Sequence, residues 1–160
     1  MGSEIIKNTG AESRQDMLLF DPDKVHLVTD PSHPLYDERV HLPIDEAMVA
    51  SIIDEGVIEP IVFQFDGRPQ AGGRVLVADG RQRVTNCREA NRRLRKAGKE
   101  PRRIPGVPYR GKDAEGLGIM LNEIRTQDTP LVRANKAQRY LAHGHGEDEA
   151  ARKFGVSIPT

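Results

Sequence analysis

The sequence lacks the features that would hold it together covalently or place it in a bilayer. It has one cysteine, Cys87, which excludes an internal disulfide and fits a reducing cytoplasm. It has neither an apolar run long enough to span a bilayer nor a secretory signal, so we expect a cytoplasmic protein with no membrane partner. The chain has 24 lysine and arginine residues and 24 aspartate and glutamate residues, so its formal net charge is zero. No overall electrostatic field is therefore expected to attract polyanions. Any attraction for nucleic acid must come from local clusters of charge.

The chain is organised around residues 75–84, with the sequence VLVADGRQRV. The apolar residues predict a strand, Gly80 a sharp turn, and the following residues the start of a long polar helix. Backbone N–H groups at a helix N-terminus favour a bound anion. Arg81 and Arg83 oppose the helix dipole unless an anion is present, although solvated arginines after an ordinary turn are the alternative. The pattern favours a phosphate site.

Periodicity and capping residues predict the remaining elements. Residues 1–20 lack an apolar pattern and are expected to form a mobile arm. Strands are predicted at 24–29, 57–65, 74–78 and 104–109, the last at a sheet edge because it contains Pro105 and Pro108. Helices are predicted at 43–55, 82–97, 113–124, 131–142 and 147–154. In the third helix, the residues expected to face the core are Leu117, Met120, Leu121 and Ile124.

The predicted helix 82–97 is strongly basic. A solvated face is the usual explanation for such a run, and a patch that contacts DNA phosphates is the alternative. The candidate DNA contacts are Arg88, Arg92 and Arg93, with Lys153 further along the chain. Cys87 lies on the apolar stripe of this helix and is expected to pack rather than to react.

Two later segments contain recognisable patterns. His143-Gly144-His145-Gly146 suits a loop, and a metal site there needs further ligands that the sequence does not identify. In residues 151–157 a small residue, a glycine and an apolar residue have the spacing of a helix-turn-helix turn. The recognition helix is expected to begin near residues 158–160, so only its start would be included.

Several landmarks follow one another in a specific order. They are residues 51–62, with Gly56 and Pro60-Ile61-Val62, then 78–83, then 122–125 with Thr129-Pro130, and finally the helix-turn-helix onset. In this order the chain resembles the N-terminal part of ParB-type partition proteins. The resemblance implies an α+β fold shared with sulfiredoxin, in which a small mixed sheet and helices precede a helical DNA-binding segment. It divides the chain into an arm (1–20), a nucleotide-binding domain (21–128) and the start of a helix-turn-helix domain (129–160).

Many proteins of this family are CTP-dependent clamps that close on DNA as dimers. The resemblance implies a homodimeric, nucleoid-associated DNA clamp or adaptor that binds CTP or another nucleotide and serves partition or regulation. The residues implied to bind the nucleotide are Arg39, Gly80, Arg81, Gln82, Arg83, Asn122 and Arg125. The candidates for a Mg²⁺ ion are Asn122 and Glu123.

The chain departs from the family pattern at three positions. Arg81 replaces the glutamate and Gln82 the first arginine of the family's Gly-Glu-Arg-Arg loop, and Leu121 replaces a metal-side glutamate. Losing a carboxylate near a triphosphate is expected to weaken metal binding or hydrolysis more than nucleotide binding, with Glu123 or Asp128 as candidate replacements. CTP hydrolysis is therefore expected to be weak or absent.

Two other functions remain open from the sequence. A ParB-like metal-dependent nuclease needs converging carboxylates, for which Asp79, Glu123 and Asp128 are the candidates. A nucleotide-independent DNA-binding regulator would use the N-terminal domain for dimerisation alone. An enzyme of the sulfiredoxin kind is disfavoured, because Arg81 occupies the place of the nucleophilic cysteine.

Overall fold

The computed structural model describes residues 16–68, 71–125 and 128–156 and confirms the α+β class. The strands are β1 (Leu18–Phe20), β2 (Ile61–Asp66), β3 (Arg74–Asp79) and β4 (Ile104–Pro108). The helices are α1 (Glu46–Glu55), α2 (Arg81–Lys96), α3 (Ala114–Arg125), α4 (Pro130–Ala142) and α5 (Glu147–Phe154), with a 3₁₀ helix at Glu38–His41. Within these ranges, none of the helices has the length and apolar character needed to cross a membrane.

The four strands form one mixed sheet in the order β1-β4-β2-β3. β2 and β3 are antiparallel and form a hairpin, whereas β4 runs parallel to β2 and antiparallel to β1. Ile61 and Phe63 alternate with less buried residues along β2. In β3, by contrast, the last four residues are all buried, as expected for a strand covered on both faces. The end of β3 is thus held rigidly where the glycine turn begins.

The predicted edge position of the last strand is wrong. β4 lies inside the sheet, because the three-residue strand β1 covers its far side with Leu19 opposite Pro105. A partner this short makes few ladder hydrogen bonds, so the N–H that Pro105 lacks costs little. Leu18–Phe20 also differ from the expected mobile arm, since they form β1.

The strand predicted at 24–29 is wrong as well. The segment makes one isolated parallel bridge, between His26 and Leu76 of β3. His26 N donates to Val75 O at 2.7 Å, and Val77 N donates to His26 O at 3.0 Å. The two buried residues of the segment, Val25 and Val28, lie on opposite faces of the predicted alternation. The alternation therefore predicted neither the ladder nor the set of residues that face inward.

The main core lies between the sheet and helices α1 and α2. The buried apolar residues of α2 are Val84, Cys87, Ala90 and Leu94, all of which the sequence places on the apolar stripe of this helix, whereas Ala97, expected on the same stripe, is exposed. Each fully buried aliphatic side chain contributes about 1.5–3 kcal/mol relative to exposure. α2 also buries Asn91, whose Nδ2 donates to Arg102 O at 2.9 Å and whose Oδ1 accepts from Arg102 N at 2.6 Å. These bonds tie the segment before β4 to α2.

A smaller core joins α3, α4 and α5 through Ile119, Tyr140, Ala150 and Phe154. The predicted inward face of α3 is partly wrong, because Met120 and Ile124 are exposed by 39% and 76% while Asn122 is buried. α3 turns a polar residue inward because it borders a charged cavity rather than an apolar core. α5 ends at Gly155, which has φ +65°, and the expected recognition helix lies outside the described residues.

Candidate functional site

One cavity of about 360 Å³ is bordered by four separate parts of the chain. They are the 3₁₀ helix, the end of α1 with the loop after it, the β3–α2 turn, and the C-terminal half of α3. The lining includes every residue implied to bind a nucleotide, namely Arg39, Gly80, Arg81, Gln82, Arg83, Asn122 and Arg125. The volume falls in the range of small-molecule sites. The structure therefore brings the predicted residues together around one space.

The turn between β3 and α2 requires glycine. Gly80 has φ +100° and ψ 25°, in the left-handed region. A Cβ at this position would lie 2.7 Å from Ile61 Cγ2 and 2.8 Å from Arg83 Nη2. Among the described residues, no side chain caps the N-terminus of α2 and its first turn contains no acidic residue. The helix start that lines the cavity is thus positively polarised.

Arg81 is a structural component of this turn. Its side chain is buried, and its guanidinium donates to Ala78 O at 2.8 Å and to Leu35 O. Burial lowers the pKa of Arg81, although Asp37 and Asp79 oppose that shift. Its Nε is buried and has no hydrogen-bond partner within the described residues. Arg81 therefore fixes the base of the cavity while its charge remains partly uncompensated.

Arg83 and Arg125 converge on the carboxylate of Asp79. Arg125 donates from Nη1 to Asp79 Oδ1 at 2.7 Å and from Nη2 to Oδ2 at 3.1 Å. Arg83 Nη2 donates to the same Oδ2 at 3.1 Å. Glu59, which is largely exposed, lies 2.6 Å from Arg83 and 3.4 Å from Arg125. Two arginines from distant helices are thus held side by side by acidic residues.

The environment of Asp79 favours its ionised form. Burial alone would raise the pKa of Asp79, but the hydrogen bonds and charge of Arg125, with the charges of Arg83 and Arg81, hold it below its ordinary value.

The residues that line the cavity include four arginines and three carboxylates, so the cavity has a small net positive charge.

Behind the cavity, a buried network attaches α4 to the 3₁₀ helix. Lys136 of α4 lies 2.9 Å from Asp37 Oδ2 and donates to Asp128 Oδ2 at 2.6 Å. Arg39 donates to Asp128 Oδ1 at 2.9 Å and to the amide oxygen of Asn122. Asn122 Nδ2 in turn donates to Asp37 Oδ2 at 2.8 Å. Arg39 and Asn122 are therefore positioned by residues that do not all line the cavity.

Part of the cavity lining is apolar. It consists of Met48 and Ile52 from α1 and of Val57 and Ile58 from the loop that follows. The cavity therefore presents aliphatic side chains as well as guanidinium groups. A ligand that matches both has an anionic part and a flat or apolar part.

The two residues expected to bind Mg²⁺ each use an oxygen in a hydrogen bond to an arginine. Asn122 uses its amide oxygen to accept from Arg39, and Glu123 accepts from Arg133 Nε at 2.7 Å outside the cavity. Of the carboxylates considered for a nuclease, Asp79 and Asp128 are likewise paired with cations. Asp79, Glu123 and Asp128 do not come together as a ligand group in the part of the chain that the structure describes.

The candidate DNA contacts are spread over unlike environments. Arg88 donates to the backbone oxygens of Pro22 and Val25 at 2.8 and 2.7 Å, so it anchors the segment after β1. On α2, Arg92 is exposed and Arg93 is half-buried, and both pair with nearby glutamates. Lys153 lies on α5, 3.9 Å from Asp113 Oδ2. Contact of these residues with DNA stays a prediction.

Sequence reasoning missed several residues that shape the site. Asp37 and Lys136 are charged but buried, and charged residues are rarely buried unless they have a partner. The identity of a single residue does not show whether such a partner lies beside it in the fold. A signal existed for Lys136, which shares a helix face with the buried Tyr140 four residues later. Glu59 gave no signal, because its role depends on where Arg83 and Arg125 meet.

No family model matches the sequence, and no curated protein matches it. Among solved structures, the chain is similar to the crystal structure of the C-terminally truncated chromosome-partitioning protein ParB from Caulobacter crescentus, complexed with CTP-gamma-S. The similarity covers 89% of this chain and 72% of that chain, with 17% sequence identity and a TM-score of 0.46. At that level of similarity, the function has to be argued from the cavity itself.

Proposed function

We propose that the cavity binds a nucleoside triphosphate, with CTP as the first candidate. We propose further that the chain is a ParB-like DNA-binding clamp or adaptor in which hydrolysis of the nucleotide is weak or absent. One observation carries the proposal: arginines 39, 81, 83 and 125, from three parts of the chain, border one cavity at an uncapped helix start. Arginine and helix N-termini are the groups that proteins use most for phosphate. The aliphatic side chains of α1 and its loop suit a nucleoside base and sugar better than they suit inorganic polyphosphate.

The phosphates take the place of carboxylates in this proposal. Asp79 and Glu59 form ion pairs with Arg83 and Arg125 in the free protein. A triphosphate carries several charges and competes for the same guanidinium groups, which form bidentate pairs with phosphate as well as with carboxylate. Weak hydrolysis is proposed because the amide oxygen of Asn122 already accepts from Arg39, and Glu123 lies outside the cavity lining with its Oε1 accepting from Arg133.

The proposal of DNA binding is supported by α5 and the turn that follows it. Gly155 follows α5 in the left-handed conformation, which ends the helix and allows the sharp turn of a helix-turn-helix. α4 contacts both regions, because Lys136 holds Asp37 and Asp128 next to Arg39 and Arg133 donates to Phe154 O at the end of α5 at 3.2 Å. A homodimeric assembly remains part of the proposal.

Isothermal titration with CTP, ATP, GTP and UTP tests nucleotide binding. We expect heat with CTP, and we expect Arg83→Gln and Arg125→Gln each to weaken affinity. Losing one charge-assisted contact costs about 1.5–3 kcal/mol, or roughly 10- to 150-fold. Arg92→Gln is the matched control, because Arg92 is an arginine on the outer face of α2. Equal weakening by the control, or no heat with any nucleotide, would contradict the proposal.

A DNA gel-shift assay with and without CTP separates the clamp from the regulator. Binding that depends on salt but not on CTP favours a nucleotide-independent regulator. Incubating supercoiled plasmid with Mg²⁺ or Mn²⁺ tests the nuclease, for which Asp79→Asn is the diagnostic variant. We expect no cleavage, because two arginines already neutralise Asp79.

A further inference from the structure

A second group of ionisable side chains lies away from the cavity, where α3 and α5 begin. Asp113 precedes α3, His145 lies between α4 and α5, and Glu149 is in the first turn of α5. Each of the three offers one ligand atom, and these atoms lie within 4.8 Å of one another. We call these three residues the His145 cluster. It supplies the partners that the histidine-glycine segment lacked when the sequence alone was considered.

The histidine of the cluster is held in a fixed orientation. Its ring stacks on the buried ring of Tyr140, with 3.8 Å between centroids and 1° between planes. Carboxylates flank both ring nitrogens, since Nδ1 lies 3.3 Å from Glu149 Oε2 and Nε2 lies 3.6 Å from Glu115 Oε2. Metal-bound histidines characteristically have this surrounding, in which one nitrogen coordinates and the other donates to a carboxylate.

Asp113 is positioned as firmly as the histidine. Its Oδ1 accepts from Gly116 N at 2.8 Å at the start of α3, and Tyr140 donates its hydroxyl to Oδ2. These two hydrogen bonds leave Asp113 little freedom to move.

The local charge favours a cation. Asp113, Glu115 and Glu149 contribute three carboxylates around His145, and the ammonium of Lys153, 3.9 Å from Asp113, compensates one of them. With neutral imidazoles these groups carry a net charge of −2. His143 extends the group, because its Nδ1 lies 2.8 Å from Glu115 Oε1. A divalent ion would balance this charge.

We propose that the His145 cluster binds a divalent transition-metal ion such as Zn²⁺ and thereby fixes the start of α5 against the start of α3. An imidazole with carboxylates suits Zn²⁺, whereas Mg²⁺ and Ca²⁺ prefer oxygen ligands alone. Zn–N and Zn–O bonds of about 2.0–2.2 Å place tetrahedral ligand atoms roughly 3.3 Å apart. Side-chain rotations that close the cluster by about 1.5 Å would therefore suffice. The site is independent of the proposed nucleotide cavity.

Zn²⁺ titration of the protein without an affinity tag, in competition with a chromophoric chelator, tests this site. We expect one ion per chain, a higher thermal midpoint with Zn²⁺, and loss of binding by at least about tenfold in His145→Gln and in Glu149→Gln. His41→Gln is the matched control, because His41 is exposed on the 3₁₀ helix outside the cluster. Its affinity for Zn²⁺ is expected to equal that of the wild type.

Co²⁺ gives a second readout that does not depend on stability. Tetrahedral Co²⁺ bound to nitrogen and oxygen is expected to produce visible absorption bands that His145→Gln removes. Circular dichroism of the metal-free variants checks the fold, and Glu149→Gln serves as the test variant if His145→Gln is misfolded. Absence of one-to-one binding in the wild type would overturn the proposal, as would unchanged binding in a folded variant of either residue.

Discussion

Two ionic clusters of similar composition lie on different sides of the molecule. The inner cluster comprises Asp37, Arg39, Asp128 and Lys136, with side chains 4–17% exposed. The outer cluster, on α1 and α2, comprises Glu46, Glu89, Arg92 and Arg93, with side chains 19–70% exposed. The inner pair Arg39–Asp128 joins positions 89 residues apart, whereas the pairs of Glu89 with Arg92 and Arg93 lie within one helical turn.

The difference shows where charge determines structure. In the inner cluster each charged group depends on its partners, because a buried ion without a partner is strongly disfavoured. In the outer cluster water can replace either partner, so the pairs contribute little. The inner cluster therefore fixes α4 relative to the cavity, and the outer cluster affects mainly the surface.

The largest expected effect is from Lys136→Met, which removes one of the two inner cations. Asp37 would lose its ion-pair partner and Asp128 would keep only Arg39, and breaking a buried pair in this way costs about 3–5 kcal/mol. Urea denaturation measures the change in the free energy of unfolding. Lys96→Met, at an exposed position at the end of α2, is the matched control and is expected to unfold at the wild-type midpoint. Similar losses in both variants would mean that the buried location of Lys136 is unimportant.

A smaller effect is expected from acid. Burial would raise the pKa of Asp37, but the charges of Lys136 and Arg81 hold it below its ordinary value, and the pKa of Asp79 is lowered similarly by Arg125 and Arg83. Both carboxylates therefore stabilise the fold fully above about pH 4, and this contribution disappears as the pH falls through their folded-state pKa values.

Urea midpoints measured from about pH 5 down to about pH 3 check this acid dependence. In Asp79→Asn the decline should be shallower, since one of the two groups no longer titrates. A decline in the variant that is as steep as in the wild type would assign the acid sensitivity to other carboxylates.

The smallest effect is expected from Arg93→Gln in the outer cluster. Arg93 donates to Glu46 and Glu89, and the hydrogen bonds from Arg92 and Arg93 lower the pKa of Glu89 to about 2. These partners are exposed enough for salt to screen the pairs, so any loss in thermal midpoint should disappear near about 0.5 M NaCl. A large loss that persists in high salt would show that exposure does not separate the two clusters.

The strand, turn and helix around Gly80 could be predicted because their signals are local. An apolar run, a glycine and a helical stripe within 84–94 are sufficient, and the structure has each element within one residue of the expected bounds. The convergence of Arg39, Asn122 and Arg125 on this turn could not be predicted from spacing. It was expected from the family resemblance, and the cavity now supplies the geometry.

The errors have a common physical cause, since each rule assumed an average environment. The proline rule for β4 assumed a long neighbouring strand, whereas β1 has three residues. The prediction for α3 assumed that the helix packs against an apolar core, whereas Asn122 faces Arg39 and Asp37. Asp113, which lies beside His145 in the fold, is about thirty positions earlier in the sequence, and no local pattern connects the two residues.

Cys87 has a practical consequence for experiments on the motions of this protein. Its thiol is completely buried, burial with the charges of Asp23 and Asp21 raises its pKa to about 11, and the chain has no other cysteine. Thiolate is the reactive form, so alkylating dyes and spin labels should pass over the folded wild-type chain. A single cysteine introduced on the surface would then carry the probe alone, without prior removal of the native residue.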